Sequence, residues 1–270
     1  MSEVIVITSG KGGVGKTTTS ANLGSALAQV GKSVVIVDAD IGLRNLDIVM
    51  GLEKRIIFDL LDVVEGRCKV DKALIKDRRF ENLCILPATQ NKDKDSVTPE
   101  QMKFLCDQLR ESFDYVLIDC PAGIEQGFRN AISGADSAIV VTTPEVSAIR
   151  DADRIIGLLE ENGIRNCNAI INRVRVKMIE NGDMLGVDDV LDVLAIPLLG
   201  VIPDDEGVVI NTNKGEPLVL DKNCISGKAF KNIAKRVLGE EVPILDLNAS
   251  NSILNRIRGV FTLTKGGVNK

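Results

Sequence analysis

Short apolar runs recur along the chain, and segments with helical periodicity separate most of them. Continuous runs of β-branched and aliphatic residues are typical of strands that are buried on both faces. The runs predict strands at 4–8, 33–37, 83–86, 115–118, 137–142, 169–171 and 198–202. The intervening pattern predicts helices at about 16–30, 99–111, 147–162, 187–194 and 226–238.

Alternating strands and helices indicate an α/β fold, in which a mainly parallel, doubly wound sheet carries helices on both faces. We expect residues 1–239 to form this domain. Residues 240–251 contain Pro243 and a polar Asn-Ala-Ser-Asn stretch, which is typical of a linker. Residues 252–270 then form a separate tail.

The composition changes this picture little but excludes several classes of protein. The chain has 270 residues, 44% hydrophobic and 26% charged, which is ordinary for a soluble protein. Neither a signal peptide nor a membrane span is apparent. The 6 cysteines form no Cys-x-x-Cys pair, so we expect reduced thiols in the cytoplasm. The net charge of −5 argues against a nucleic-acid partner.

Histidine is absent from the sequence. A Ser-His or Cys-His mechanism is therefore impossible, and any group that moves a proton is expected to be a carboxylate or a lysine.

A glycine-rich segment follows the first predicted strand and leads into the first predicted helix. It consists of Gly10, Lys11, Gly12, Gly13, Val14, Gly15, Lys16 and Thr17, and Thr18 follows it. This pattern in this context predicts a P-loop, whose backbone N–H groups and helix N-terminus bind phosphates. Lys16 would contact the β and γ phosphates, and Thr17 would bind Mg²⁺. The alternative is a glycine-rich turn that only connects two elements.

Aspartates lie at the ends of two predicted strands, where ligands of open α/β sheets bind. Asp38 and Asp40 end one strand, and Asp119 ends another. The pattern predicts that Asp119 and Asp38 lie at the metal, and that Asp40 orients the attacking water. Caps or turn formers are the alternative roles for these aspartates.

Lys11, one residue after the first glycine, distinguishes this segment from an ordinary P-loop. Lys-Gly-Gly-Val-Gly-Lys-Thr-Thr resembles the deviant Walker A family of ATPases, which includes MinD, ParA, nitrogenase iron and arsenical pump proteins. The resemblance implies a homodimer that sandwiches two ATP molecules, with Lys11 acting on the partner's phosphates. A solvated loop lysine is the alternative.

Within that family the chain is most similar to the MinD group, over nearly its whole length. Residues 38–47 and 119–125 resemble its two switch regions, and 143–154 and 182–185 are also similar. The resemblance implies that Asn172 and Pro203 contact adenine, although Asn172 is equally suited to bonding backbone groups at a strand end.

Other members of the family fit less well. Residues 121–127 contain no cysteine to bind an iron–sulfur cluster, and Tyr115 is the only tyrosine, whereas a related tyrosine kinase would end in a tyrosine cluster. A ParA-like positioning ATPase should carry basic residues on its body, which here is acidic. A nucleotide-binding module that does not hydrolyse ATP remains an alternative from another class.

The tail has one apolar helical stripe flanked by positive charge. The residues are Ile253, Leu254, Ile257, Val260 and Phe261, with Arg256 and Arg258 beside them. This pattern predicts a helix that lies on an anionic membrane surface, and a last helix packed on its own domain is the alternative.

Taken with the resemblance, the pattern predicts an ATP- and Mg²⁺-dependent ATPase that dimerises on ATP and attaches to the inner face of the cell membrane. The resemblance further implies that it positions the division inhibitor MinC and responds to a topological factor such as MinE.

Overall fold

The computed structural model describes residues 2–90 and 96–247, which alternate between strands and helices. The strands are β1 (Glu3–Thr8), β2 (Val34–Asp38), β3 (Ile75–Lys76), β4 (Leu83–Leu86), β5 (Tyr115–Asp119), β6 (Ser137–Thr142), β7 (Cys167–Val174) and β8 (Leu198–Pro203). The helices are α1 (Lys16–Gln29), α2 (Leu46–Met50), α3 (Leu60–Val64), α4 (Val70–Ala73), α5 (Pro99–Arg110), α6 (Gln126–Ile132), α7 (Val146–Glu161), α8 (Val176–Glu180), α9 (Val187–Leu194), α10 (Glu206–Lys214) and α11 (Ile225–Val237).

These strands form one sheet in the order β3-β4-β2-β5-β1-β6-β7-β8. Only β3, at one edge, runs antiparallel to its neighbour among the described strands. The carboxyl ends of β1, β2 and β5 therefore meet at the same edge, and the register pairs Asp38 with Asp119. The predicted fold class is confirmed.

The two-residue period of the strands divides the core into two layers. In β1, Val4 and Val6 face the layer that contains residues of α5, α6 and α7, whereas Ile5 and Ile7 face the layer built on α1 and α11. The strands are buried on both faces because helices cover both, which is why they appear in the sequence as continuous apolar runs.

Residues 240–247, at the start of the predicted linker, lie against the domain. The Arg236 guanidinium donates hydrogen bonds to the carbonyl oxygens of Val242 (2.8 Å), Pro243 (2.6 Å) and Leu199 (2.7 Å). Leu245 and Leu247 pack against the core. The rest of the linker and the whole predicted membrane tail lie outside the described residues.

None of the helices within the described residues is both long and apolar enough to span a bilayer.

Candidate nucleotide site

The glycine-rich segment forms a tight loop between β1 and α1. Gly13 and Gly15 have φ angles of 77° and 104°, a region that only glycine enters readily. Gly15 is the N-cap residue of α1, so the first N–H groups of this helix face the loop. This backbone geometry is of the kind that binds anions, so it suits the phosphate-binding role that the sequence predicts.

Lys16 and Thr17 begin α1 and project toward the ends of neighbouring strands. Lys16 is 8% exposed, and its ammonium donates a hydrogen bond to the Ser9 hydroxyl at 2.9 Å. The Asp119 carboxylate accepts hydrogen bonds from the hydroxyls of Thr17 and Ser20, the latter at 3.0 Å. One cation and one carboxylate are therefore fixed beside the loop.

Asp38 lies beside Asp119 because the two residues are register partners at the ends of β2 and β5. Both share the strand face of Ile36 and Leu117, which packs on the α1 side of the sheet. The Asp38 carboxylate accepts hydrogen bonds from the backbone N–H of Asp40 (3.0 Å) and of Leu46 (3.3 Å).

Burial disfavours the ionised forms of both carboxylates and raises the pKa of each. It raises the pKa of Asp38 well above its ordinary value, and the charge of Asp119 raises it further. Burial also raises the pKa of Asp119 to about 6, against the opposing effects of Thr17 and Lys16. A cation at this position would stabilise both ionised groups.

The oxygen donors present here suit Mg²⁺, which binds one or two carboxylates, keeps several waters and shares phosphate oxygens. Throughout residues 2–90 and 96–247, no group of three or more Cys, Asp or Glu side chains is arranged to hold a metal alone. A Mg²⁺ site formed jointly with a bound phosphate fits this finding.

A cavity of about 190 Å³ adjoins the P-loop. Its lining includes Gly15, Thr18, Asn172, Pro203 and Val208. Such a semi-enclosed, largely apolar space beside a phosphate loop is suited to a nucleoside base.

Asn172 reaches this cavity but also bonds the loop. Its amide donates to the carbonyl oxygen of Val14 at 2.7 Å, and its side-chain oxygen accepts from the N–H of Arg173 at 2.9 Å. The structure therefore gives Asn172 the backbone-bonding role that was the alternative for it, at a position next to the base cavity.

Asp205 fixes the loop that forms the far wall of the cavity. Its carboxylate accepts hydrogen bonds from the backbone N–H of Gly207 (2.8 Å) and Ser226 (3.2 Å) and from the Cys224 thiol (3.3 Å). The Ser226 hydroxyl donates to the carbonyl oxygen of Pro203 at 3.3 Å. The segment 203–207, which we call the base loop, is thus held against the start of α11.

Lys11 lies apart from the other site residues. Its ammonium donates to the Ser147 hydroxyl at 3.1 Å and lies 3.6 Å from the Glu145 carboxylate, and its side chain is 44% exposed. Both contacts are at the N-terminal end of α7, whereas the Lys16 ammonium bonds to Ser9 at the end of β1.

Several of these partners were not predicted from the sequence: Ser9, Ser20, Glu145, Ser147 and Asp205. Two of them carry a local signal. Ser20 is four residues after Lys16, on the same helix face, and Asp205 precedes α10 as a typical N-cap residue. The contacts of Ser147 and Glu145 depend on long-range packing and have no such signal.

A mainly parallel sheet, a P-loop between β1 and α1, and paired aspartates at the strand ends define a P-loop ATPase. The model of the AAA domain family matches residues 2–170. The septum site-determining protein MinD of Synechocystis is 57% identical over 260 residues, which cover 96% of this chain and 98% of the relative.

Solved structures agree with this match. In the MinC:MinD cell division protein complex of Aquifex aeolicus, the similar chain is 49% identical, with a TM-score of 0.86 over 91% of this chain and 99% of that one. MinD of Pyrococcus horikoshii, complexed with Mg-ADP, is 34% identical, with a TM-score of 0.80 over 88% of this chain and 96% of that one.

The chain belongs to the MinD family of septum site-determining proteins, and it is a nucleotide- and Mg²⁺-binding ATPase of division-site selection. The predicted family and enzyme class are confirmed, and the non-hydrolysing module is set aside.

Proposed function

We propose that the nucleotide is ATP, with its base in the cavity beside Pro203 and its phosphates in the loop 10–17. The observation that carries this proposal is the convergence of Lys16, Thr17, Asp38 and Asp119 at one edge of the sheet. The ATP phosphates supply the negative charge that Lys16 and the α1 N-terminus are placed to bind.

Each site residue then has one task. Lys16 binds the β and γ phosphates, and Thr17, Asp38 and Asp119 hold Mg²⁺, which when bound supplies positive charge to the phosphate oxygens. Asp40 orients the attacking water. Its backbone N–H donates a hydrogen bond to the Asp38 carboxylate, which fixes residue 40 beside the site, and the chain contains no histidine that could take this role instead.

Lys11 acts on a second copy of the chain. Its exposed side chain is held by α7 rather than by its own phosphate loop, which suits a residue that crosses to a partner's phosphates when two copies meet. A positive charge supplied in this way stabilises the transferring phosphoryl group only in the dimer. ATP binding and dimerisation are thereby linked.

The dimer attaches to anionic membrane through the stripe at Ile253, Leu254, Ile257, Val260 and Phe261, with Arg256 and Arg258 adding charge. The relative from Aquifex aeolicus is in a complex with MinC. By that similarity, this chain binds a MinC-type division inhibitor and carries it to the membrane, under the control of a MinE-type factor. These interactions place it in the cytoplasm and on the inner face of the cell membrane.

Sedimentation with anionic vesicles tests the proposal, with ATP, with ADP and without nucleotide. We expect the protein to sediment with vesicles only with ATP, and light scattering without vesicles to show a dimer under the same condition. Equal sedimentation with ADP would contradict the link between nucleotide and membrane. Light scattering that shows a monomer with ATP would contradict the dimer itself.

A further inference from the structure

Two helices begin at opposite ends of the candidate nucleotide site. α2 begins at Leu46, whose N–H is accepted by the Asp38 carboxylate beside the phosphate loop. α10 begins after its N-cap residue, Asp205, which holds the base loop. Any shift of either helix along its axis therefore moves one end of the site.

The same two helices end against each other. The C-cap residue of α2 is Gly51 and that of α10 is Gly215, with φ angles of 64° and 65°. Their backbones are in contact, since a Cβ atom added to Gly215 would lie 2.5 Å from the Gly51 Cα atom. This close approach has no room for a side chain on either residue, so the two helix ends cannot move independently.

Arg79 binds both helix ends at once. Its guanidinium donates hydrogen bonds to the carbonyl oxygen of Met50 (2.7 Å) and to that of Gly215 (2.7 Å). The buried Asp77 carboxylate holds the guanidinium in this orientation, with contacts at 2.6 and 3.0 Å. A cation stabilises the carbonyl groups at a helix C-terminus, and the Arg79 guanidinium does so for both α2 and α10.

We propose that Arg79 is a positioning residue that couples the base cavity to the aspartates at the phosphate end. This inference rests on the proposed placement of base and phosphates. When the base fills its cavity, α10 is fixed, Arg79 and the glycine contact fix the end of α2, and α2 fixes the segment that carries Asp38 and Asp40. Correct binding of the base thereby sets the geometry for hydrolysis.

A double-mutant cycle tests the coupling. Val208 lines the base cavity and lies about 10 Å along α10 from Gly215, a separation at which effects are normally additive. We expect Val208→Ala to raise KM for ATP and to lower kcat about fivefold in the wild-type background. In an Arg79→Lys background, the same change should lower kcat less than twofold.

Two further variants keep the test decisive. Gly215→Ala keeps the Arg79 side chain but disturbs the helix contact and the carbonyl oxygen that Arg79 binds. It should likewise remove the effect of Val208→Ala on kcat, even where Arg79→Lys fails to fold. Arg236→Lys is the matched control, because Arg236 also donates to several carbonyl oxygens but contacts neither helix end, and it should leave the full fivefold effect.

The outcomes separate the two ideas. A raised KM with additive effects on kcat overturns the coupling alone. An unchanged KM in Val208→Ala overturns the placement of the base, and the coupling with it.

Discussion

At the scale of single residues, Lys11 and Lys16 show how one short loop holds two lysines in different environments. Lys16 is buried and bonded to Ser9, whereas Lys11 is exposed and contacts Ser147. Substitutions of Lys11 and of Lys16 are therefore expected to affect different steps of the ATPase cycle.

We expect Lys16→Ala to weaken ATP binding about 10- to 100-fold, because a charge-assisted hydrogen bond contributes about 1.5–3 kcal/mol. Titration calorimetry measures the affinity. Lys103→Ala, a change at an exposed position on α5, is the control and should bind ATP normally. Wild-type affinity in Lys16→Ala would remove the phosphate site from this loop.

Lys11→Ala should bind ATP with nearly wild-type affinity, because the Lys11 ammonium contacts Ser147 and Glu145 and not the phosphate loop of its own subunit. It should lose ATP-dependent dimerisation, because the proposed contact with the partner's phosphates is removed. Light scattering with ATP gives the result. A dimer that forms as readily as in the wild type would show that Lys11 has no role between subunits.

We expect Asp40→Ala to bind ATP and dimerise, but to release phosphate at least about 100-fold more slowly. The substitution leaves the Asp38 hydrogen bond in place, since that bond uses the backbone N–H of residue 40. A phosphate-release assay at saturating ATP measures the effect. A wild-type rate would assign the water-orienting role to another residue.

At the scale of elements, the sequence predicted the buried strands well because both faces of the sheet are covered. The short strand β3 and short helices such as α2 and α8 were missed, because segments of a few residues carry too little periodicity to be recognised. The long helices were predicted closely, both those without a side-chain cap, such as α1 and α7, and those with one. For example, α5 begins with a capping box formed by Thr98 and Gln101.

In the candidate site too, features with a local sequence signal were predicted and features that depend on long-range contacts were not. The loop 10–17 and the aspartates at strand ends have local signals, so their positions were predicted. The α2–α10 contact and the Arg79 bonds join segments that are distant in sequence, and no local pattern marks them.

A carboxylate also joins elements away from the site. Asp136 accepts hydrogen bonds from the N–H of Val4 (2.8 Å) and from the Arg110 guanidinium (2.7 and 2.8 Å), linking α5 to the start of β1. Burial opposes its ionisation, but the bonds from Arg110 and Val4 hold its pKa below the usual value.

Asp136→Asn should therefore lower the free energy of unfolding by about 1 kcal/mol at pH 7, a modest figure because the side chain is 44% exposed. Since the folded pKa is depressed, the stabilisation is complete above the unfolded pKa of about 3.9 and is lost as the pH falls through the folded value. Urea titrations of both proteins across this range measure the difference.

Asp107→Asn is the matched control for this variant. Its carboxylate lies 3.8 Å from the same guanidinium but is 61% exposed, so little change is expected. An equal loss of stability in both variants would show that net charge, and not the hydrogen bonds of Asp136, is responsible.

At the scale of the whole molecule, the proposed membrane binding would depend on the number of tails. One short helix is marginal in water, and its ordering offsets much of the gain from burying its apolar residues. Two tails on one dimer raise the avidity by a factor on the order of 10² to 10⁴ when both reach the same surface. We therefore expect dimerisation alone to control the proposed attachment.

Ile257→Glu should abolish vesicle binding with ATP and leave the dimer intact, as judged by sedimentation and light scattering. Asn255→Glu adds the same charge away from the apolar stripe. It should weaken binding only about fivefold, from the repulsion of one charge near anionic lipid. Equal loss in the two variants would point to charge alone and against burial of the stripe.

If the tail binds a bilayer as proposed, the packing of residues 240–247 on the domain limits the distance between the domain and the bilayer. Leu247 lies beside Pro203 and Asp204, on the edge of the sheet that carries the nucleotide site. An extended chain advances about 3.3–3.6 Å per residue, so the distance from Leu247 to Ile253 is at most about 20 Å. A membrane-bound molecule would therefore keep its catalytic edge within about two nanometres of the lipid headgroups. Bulky regulators would have to approach from the flanks, and the local anionic potential would reach the catalytic edge only weakly through physiological salt.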